Sequence, residues 1–160
     1  MTFTPTQQDL EQALSKFRGL DVDTQLAFLW FVYTKMGQSI TPAAPGAAQT
    51  EIAEGLYNQV QALSFEEQLQ AQRDFLQSND TQLCREYGSL SDNTKLLFWY
   101  RLAQGMDAKT IIPMPENYEF SQEGKALLGQ LENMDFEQQI TFLRQSVEPT
   151  GAAPQSGSGL

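Results

Sequence analysis

Histidine is absent from this chain, and Cys84 is its single cysteine. The commonest general base, the commonest metal ligand and every His-assisted nucleophile are thereby excluded, as are an internal disulfide and a thiolate metal cluster. Carboxylate chemistry remains, but the acidic pairs Glu66 with Glu67 and Glu51 with Glu54 stand where helices begin and negative charge complements the macrodipole. What is left is apolar and aromatic. Leu26, Trp30 and Tyr33, continued by Met36 and Ile40, recur at helical spacing. Leu96, Trp99 or Tyr100, Ala103 and Met106 repeat the pattern, followed by Ile111. Both tryptophans of the chain lie in these stripes, each with a tyrosine close by. Rings for stacking, and thioethers at Met36, Met106 and Met114 for polarisable contact, suit a flat apolar ligand held between two walls. Ordinary helix packing produces the same stripes, so a closed core is the competing expectation.

Several helices must position these residues. Thr6 is placed to cap a first helix through about Phe17, with Leu10, Leu14 and Phe17 inward and Gly19 ending it. Asp21 to about Ser39 is the first aromatic helix, followed by the unusually apolar connection Thr41 to Ala48. Thr50 to about Leu63 is a third helix, with Ile52, Leu56, Tyr57 and Val60 as its apolar points. Ser64 and Glu67 form a capping box ahead of a helix through Leu76, with Phe65, Leu69 and Phe75 inward. A short helix from Thr81 to about Tyr87 precedes the second aromatic helix, Ser91 to about Ala108. After the proline-containing stretch Pro113 to Asn117, Ser121 to Glu132 and Asp135 to Val147 supply the last two, and Asp135 with Gln138 repeats the capping box. No strand period occurs, so the fold class is all-α. Residues 148–160, rich in Pro, Gly and Ser, read as a disordered tail after a single domain spanning 1–147.

An internal echo runs through these helix starts. Asp21-Val22-Asp23-Thr24-Gln25-Leu26 is followed by Ser64-Phe65-Glu66-Glu67-Gln68-Leu69, and about seventy residues on, Ser91-Asp92-Asn93-Thr94-Lys95-Leu96 is followed by Asp135-Phe136-Glu137-Gln138-Gln139-Ile140. A duplicated four-helix unit predicts this, with a rough two-fold axis bringing the two aromatic helices face to face. Helix-start signals alone produce such echoes as well.

Charge narrows the partners. A net charge of −10, from 20 acidic and 10 basic residues, opposes phosphate backbones and anionic membranes, so nucleic acid is not expected. No apolar run reaches the ~20 residues of a membrane span, and the N-terminus lacks the order of a secretory signal. The expected setting is the cytosol. Arg144 near a helix end and Asn93 near a helix start have simple capping readings.

The residues also carry a resemblance. Thr24-Gln25-Leu26-Ala27-Phe28-Leu29-Trp30-Phe31-Val32-Tyr33, Met36-Gly37, Ile40-Thr41, Ala43-Ala44-Pro45-Gly46-Ala47-Ala48, Lys95-Leu96, Phe98-Trp99-Tyr100, Met106-Asp107, Ile140-Thr141 and Leu143-Arg144 resemble the N-terminal carotenoid-binding domain of the cyanobacterial orange carotenoid proteins. Because the sequence stops where an interdomain linker would begin, it is most similar to the stand-alone helical carotenoid proteins. That resemblance implies two interleaved four-helix bundles with a keto-carotenoid, of the canthaxanthin or echinenone type, threaded between them. It implies Leu26, Trp30, Tyr33, Met36 and Ile40 on one wall, Leu96, Trp99, Tyr100 and Met106 on the other, and Met114, Ile140, Arg144 and Val147 at the far end. A compact domain of this length has a radius of gyration of about 15 Å, so a long polyene would traverse nearly all of it.

In the two-domain relatives, the counterparts of Asn93 and Arg144 hold the sensory domain, and the arginine later helps contact the phycobilisome; here both are expected free at the surface, without photoswitching. Arg73 stands where the best-known relative has a cysteine, and Arg101 where it has an acidic residue, which puts an antenna-docking surface in question. The implied function is non-catalytic photoprotection, by quenching singlet oxygen or carrying carotenoid, with a sensory-domain homologue as a plausible donor. Constitutive quenching of phycobilisome fluorescence is the alternative within the family, and a pigment-free helical interaction module the alternative outside it.

Overall fold

Eight helices occupy the residues described in this computed structural model, 5–36 and 50–152. They are α1 (Pro5–Gly19), α2 (Val22–Met36), α3 (Thr50–Gln61), α4 (Phe65–Gln77), α5 (Gln82–Gly88), α6 (Asp92–Ala108), α7 (Gln122–Glu132) and α8 (Phe136–Val147), and no strand occurs among the described residues. Helix starts follow the capping chemistry. Asp21 accepts from the Thr24 amide at 3.3 Å and the Thr24 hydroxyl at 2.6 Å. Ser64 with Glu67, and Asp135 with Gln138, close reciprocal boxes that satisfy amides the helix itself leaves unpaired. Ser91 caps α6, so all four echoing segments open a helix at their first residue.

Two expectations change. Thr6 lies inside α1, which starts at Pro5, a residue preset for the first helical position because it has no amide to satisfy. Ile52 and Phe65 face solvent, 50% and 46% exposed, as does Phe136 at 51%. The inward line of α3 is Ala53, Leu56, Tyr57 and Val60, with Ile52 beside it. In α4 a polar residue takes the inward place: buried Gln68 donates to the carbonyls of Gln61, Leu63 and Thr110 at 3.3 Å each and accepts from the Ile112 amide at 2.8 Å. A buried amide with this many partners costs little and ties the end of α6 to the α3–α4 corner.

The helices form two interleaved bundles. One combines α1, α2, α7 and α8, and the other α3 to α6, with α2 against α4 and α6, and α6 against α8, joining them. Exchanging α1 to α4 with α5 to α8 maps these contacts onto one another: α3 on α6 becomes α7 on α2, α6 on α8 becomes α2 on α4, and α1 on α8 becomes α5 on α4. Ring geometry repeats too. Phe17 and Phe28 lie 5.5 Å apart at 57°, and their counterparts Tyr87 and Phe98 lie 5.7 Å apart at 56°. The echo in the sequence is therefore a structural duplication, and α2 packs against α6 near its axis.

The ordered body extends past the expected tail boundary. Beyond α8 the chain lies as a strap across α4, α5 and α6: the Gly151 amide donates to Phe75 O at 2.8 Å and the Ala152 amide to Cys84 O at 3.1 Å. Gly151 has φ +92°, and a Cβ on Gly88 would collide with the Ala152 carbonyl oxygen, so glycine at both positions permits the close approach. Glu148, Thr150, Gly151 and Ala152, in the segment read as tail, are thus held by hydrogen bonds, while 153–160 lie outside the described residues.

Candidate functional site

The duplication fixes which aromatic positions correspond. With Asp21 matched to Ser91, Leu26 pairs with Leu96, Leu29 with Trp99, and Trp30 with Tyr100. Burial obeys the same pairing: Leu29 and Trp99 are 2% and 3% exposed, whereas Trp30 and Tyr100 are half-buried. The sequence left Trp99 or Tyr100 open as the partner of Trp30. Tertiary packing assigns that place to Tyr100.

Tyr33, Leu96 and Tyr100 meet where α2 packs on α6. The Tyr33 hydroxyl donates to Leu96 O at 2.9 Å, and its ring stands 5.5 Å from that of Tyr100, inclined at 60°. Burial and the neighbouring phenols of Tyr87 and Tyr100 push the Tyr33 phenol far above its ordinary range, so it stays a neutral donor. Leu26 and Trp30 on α2, and Tyr100 and Met106 on α6, are partly buried against the core. The result is an apolar seam between two helices, rich in rings and tied across by a hydrogen bond.

The other expected site residues lie beyond the Tyr33–Leu96 contact. Trp99 sits in the aromatic core of the second bundle, beside Phe75, Tyr87 and Phe98 at centroid distances of 6.1 to 6.2 Å. Its indole N–H donates to the Tyr87 hydroxyl at 2.7 Å. Ile140 is buried on α8 against the core, Val147 is fully enclosed, and Arg144 on the same helix is half-buried. Met114 is half-buried in the stretch after α6. Ile40 and the Met36 side chain lie outside the described residues.

Asn93 and Arg144 were expected free at the surface. Both are half-buried; Arg144 has no side-chain partner among the described residues, and the Asn93 side-chain oxygen is buried without a hydrogen bond. Their two-fold counterparts, Asp23 and Arg73, are joined by hydrogen bonds of 2.8 and 3.3 Å. Arg101 grips Glu54 at 3.1 and 3.2 Å and lies 4.0 Å from the Tyr57 ring centroid, so Arg73 and Arg101 are both engaged within the fold.

Sequence reasoning missed Tyr87, Lys95 and Thr150. Lys95 is 3% exposed and donates to Glu148 O at 2.8 Å and Thr150 O at 2.7 Å, with its ammonium 5.2 Å from the Tyr87 centroid. Burial pushes that ammonium below the ordinary lysine range. A signal was present: Lys95 shares the helix-start register of Gln25, whose amide donates inward to Phe17 O at 2.8 Å. Cys84 is buried, its thiol donates to Asp74 O at 3.1 Å, and burial pushes its pKa up, the opposite of a reactive thiolate. Among the described residues no group of three or more acidic, Cys or His side chains is arranged to hold a metal, and no helix is long and apolar enough to cross a membrane.

Comparison with known proteins places this arrangement. The family described as "Orange carotenoid protein, N-terminal" matches residues 4–153. An orange carotenoid-binding domain-containing protein of Nostoc sp. is 49% identical over 141 residues, covering 88% of this chain and 82% of its own. The orange carotenoid-binding protein of Synechocystis sp. is 41% identical over 138 residues, and this chain spans 44% of its length. Among solved structures, the Anabaena (Nostoc) sp. red carotenoid protein binding canthaxanthin is 50% identical, with TM-score 0.82, covering 89% of this chain and 98% of that one. The Anabaena orange carotenoid protein binding canthaxanthin is 40% identical, with TM-score 0.80, covering 90% and 47% respectively.

Proposed function

Since the chain belongs to the family of the orange carotenoid protein N-terminal domain, we propose that it binds a keto-carotenoid of the canthaxanthin or echinenone type along the α2–α6 seam. The observation that carries this reading is the pairing of Trp30 with Tyr100: two half-buried rings at corresponding places on helices that pack together, with Tyr33 anchored between those helices. Two relatives of the same fold, at 50% and 40% identity, bind canthaxanthin. Leu26, Trp30, Tyr33, Met36 and Ile40 form one wall in this proposal, and Leu96, Trp99, Tyr100 and Met106 the other, with Met114, Ile140, Arg144 and Val147 toward the far end. Burying a polyene at ~25 cal/mol per Å² gives a large association term, from which ordering costs subtract.

The protein's part is physical and not catalytic. Packed rings hold the polyene extended and set its absorption, and the pigment takes up energy from singlet oxygen or is passed on as cargo. A homologue of the family's C-terminal domain is the proposed donor, and the cyanobacterial cytosol the proposed setting.

Expression in a host that makes keto-carotenoids tests the reading. A coloured protein with extractable polyene in roughly equal proportion to the chain is expected. A colourless protein from the same host overturns it, and leaves a helical interaction module in its place. Singlet-oxygen lifetimes and phycobilisome fluorescence, each measured with added holoprotein, separate a general quencher from an antenna quencher.

A further inference from the structure

We propose that Tyr87 and Thr150 are positioning residues for Trp99, and that the Glu148–Ala152 strap acts through them as a lever on α6, whose next residue, Tyr100, stands in the proposed seam. This deepens the carotenoid-binding reading and rests on it where the pigment is concerned.

Donor counting gives the hydrogen bonds a single direction. The Trp99 indole can only donate, and it gives its proton to the Tyr87 oxygen at 2.7 Å. Thr150 Oγ1 donates to Val147 O at 2.5 Å, so in the 2.7 Å contact between Tyr87 and Thr150 the phenol must be the donor. The chain therefore runs from Trp99 through Tyr87 and Thr150 to a backbone carbonyl, each link strengthening the next. Tyr87 is fully buried and has no water to fall back on if Thr150 leaves.

Both ends of this relay are fixed. Trp99 is wedged among Phe75, Phe98 and Tyr87. Thr150 is held by Lys95 on its carbonyl at 2.7 Å, and the following amides by Phe75 and Cys84. Gly88 and Gly151 admit the strap at a distance only glycine allows, with a Cβ on Gly151 falling 2.6 Å from the Gly88 Cα. The seat is therefore occupied or vacated as a unit, with little room for gradual sliding.

The first half of the duplication packs without such a relay. There, Phe17 stands in the place of Tyr87 and Leu29 in the place of Trp99, with the same ring angle between Phe17 and Phe28 and no polar atom at either position. Among the described residues, an indole nitrogen bonded to a phenol oxygen occurs only beside the strap. Anything that draws the chain off its seat at Ala152 is read at Trp99.

The full-length protein, without and with canthaxanthin, tests this with three variants. Thr150→Val removes the hydroxyl, Thr150→Ser keeps it, and Gly88→Ala blocks the seat by driving a Cβ into the Ala152 backbone. In the apoprotein, the two indole N–H resonances are followed by nitrogen–proton NMR and assigned with Trp30→Phe; far-UV circular dichroism confirms helix content. Thr150→Val and Gly88→Ala are expected to shift the Trp99 resonance and accelerate its hydrogen exchange about tenfold, the worth of one hydrogen bond. Thr150→Ser should restore the wild-type signal, and the Trp30 resonance should stay in place. In the loaded protein, the same two variants should displace the visible band in one common direction.

An unmoved Trp99 resonance in both variants, or a Ser variant as perturbed as the Val variant, overturns the positioning role. A shifted indole with an unchanged visible band overturns the lever. Failure of the wild-type protein to take up canthaxanthin while the indole responds as expected overturns the pigment reading and its lever, and leaves the positioning of Trp99 supported.

Discussion

Arg73 closes on Asp23 through two hydrogen bonds, whereas the residues at the matching places in the second half, Arg144 and Asn93, make no such pair. A carboxylate stands in one half where an amide stands in the other, and the amide oxygen is buried without a partner. Asn93→Asp should let the second half close as the first does, raising stability by up to ~1 kcal/mol, the upper range for partly exposed ion pairs. Urea unfolding at neutral pH checks it. A fall in the midpoint would mean that Arg144 does not reach position 93 and that the new carboxylate is buried unpaired.

Gly105 lets α6 approach Tyr57 and Ile111 closely. A Cβ there would collide with the Tyr57 hydroxyl and lie 2.6 Å from an Ile111 side-chain carbon. Both neighbours are fully buried and have nowhere to move. Gly105→Ala should therefore cost about 1–3 kcal/mol through overpacking, despite the gain in helix propensity. Thermal unfolding reads this directly; a neutral or stabilised variant would show that α3 slides aside.

Alkaline pH should unfold the protein through its buried phenols. Burial raises the pKa of Tyr33 and Tyr87 well above 10.0, so the folded chain keeps protons that the unfolded chain loses. Their contribution is complete below pH 10 and declines above it, by about 1.4 kcal/mol per pH unit for each. Lys95 acts with the opposite sign: its folded value is depressed, so stability gains with pH up to 10.5, and none beyond. The net loss should steepen above pH 10.5. Tyrosinate absorbance for these two of the five tyrosines should then appear together with loss of helix, and titration of all five in a folded protein would contradict the assignment.

Trp30→Ala and Tyr100→Ala should act alike on the loaded protein, because the two rings occupy corresponding places on α2 and α6. Each is expected to weaken canthaxanthin retention and displace the visible band, by about 1–3 kcal/mol in affinity for a lost aromatic contact. Tyr33→Phe should behave differently: it removes the bond to Leu96 O and costs about 1 kcal/mol of stability while leaving a ring in place. Unchanged spectra for both alanine variants would remove the seam from the pigment site.

Helix starts and the duplication were legible in the residues. Asp21, Ser64, Ser91 and Asp135 satisfy amides within their own first turns, so the signal is complete within a few residues of sequence. The absence of His and the single Cys84 likewise bounded the chemistry without any knowledge of the fold. The composition and charge of the whole chain limited its partners in the same way.

Only tertiary structure decided which ring faces where. Adjacent positions on a helix differ by about 100°, and Trp99 and Tyr100 fit the stripe equally well until packing against α4 and α5 drew Trp99 inward. The burial of Lys95 and the seating of residues 148–152 depend on carbonyls and glycines tens of residues away, which no local pattern encodes. A cap needs one turn of chain to be satisfied, but the strap, the relay and the seam exist only once distant helices have met.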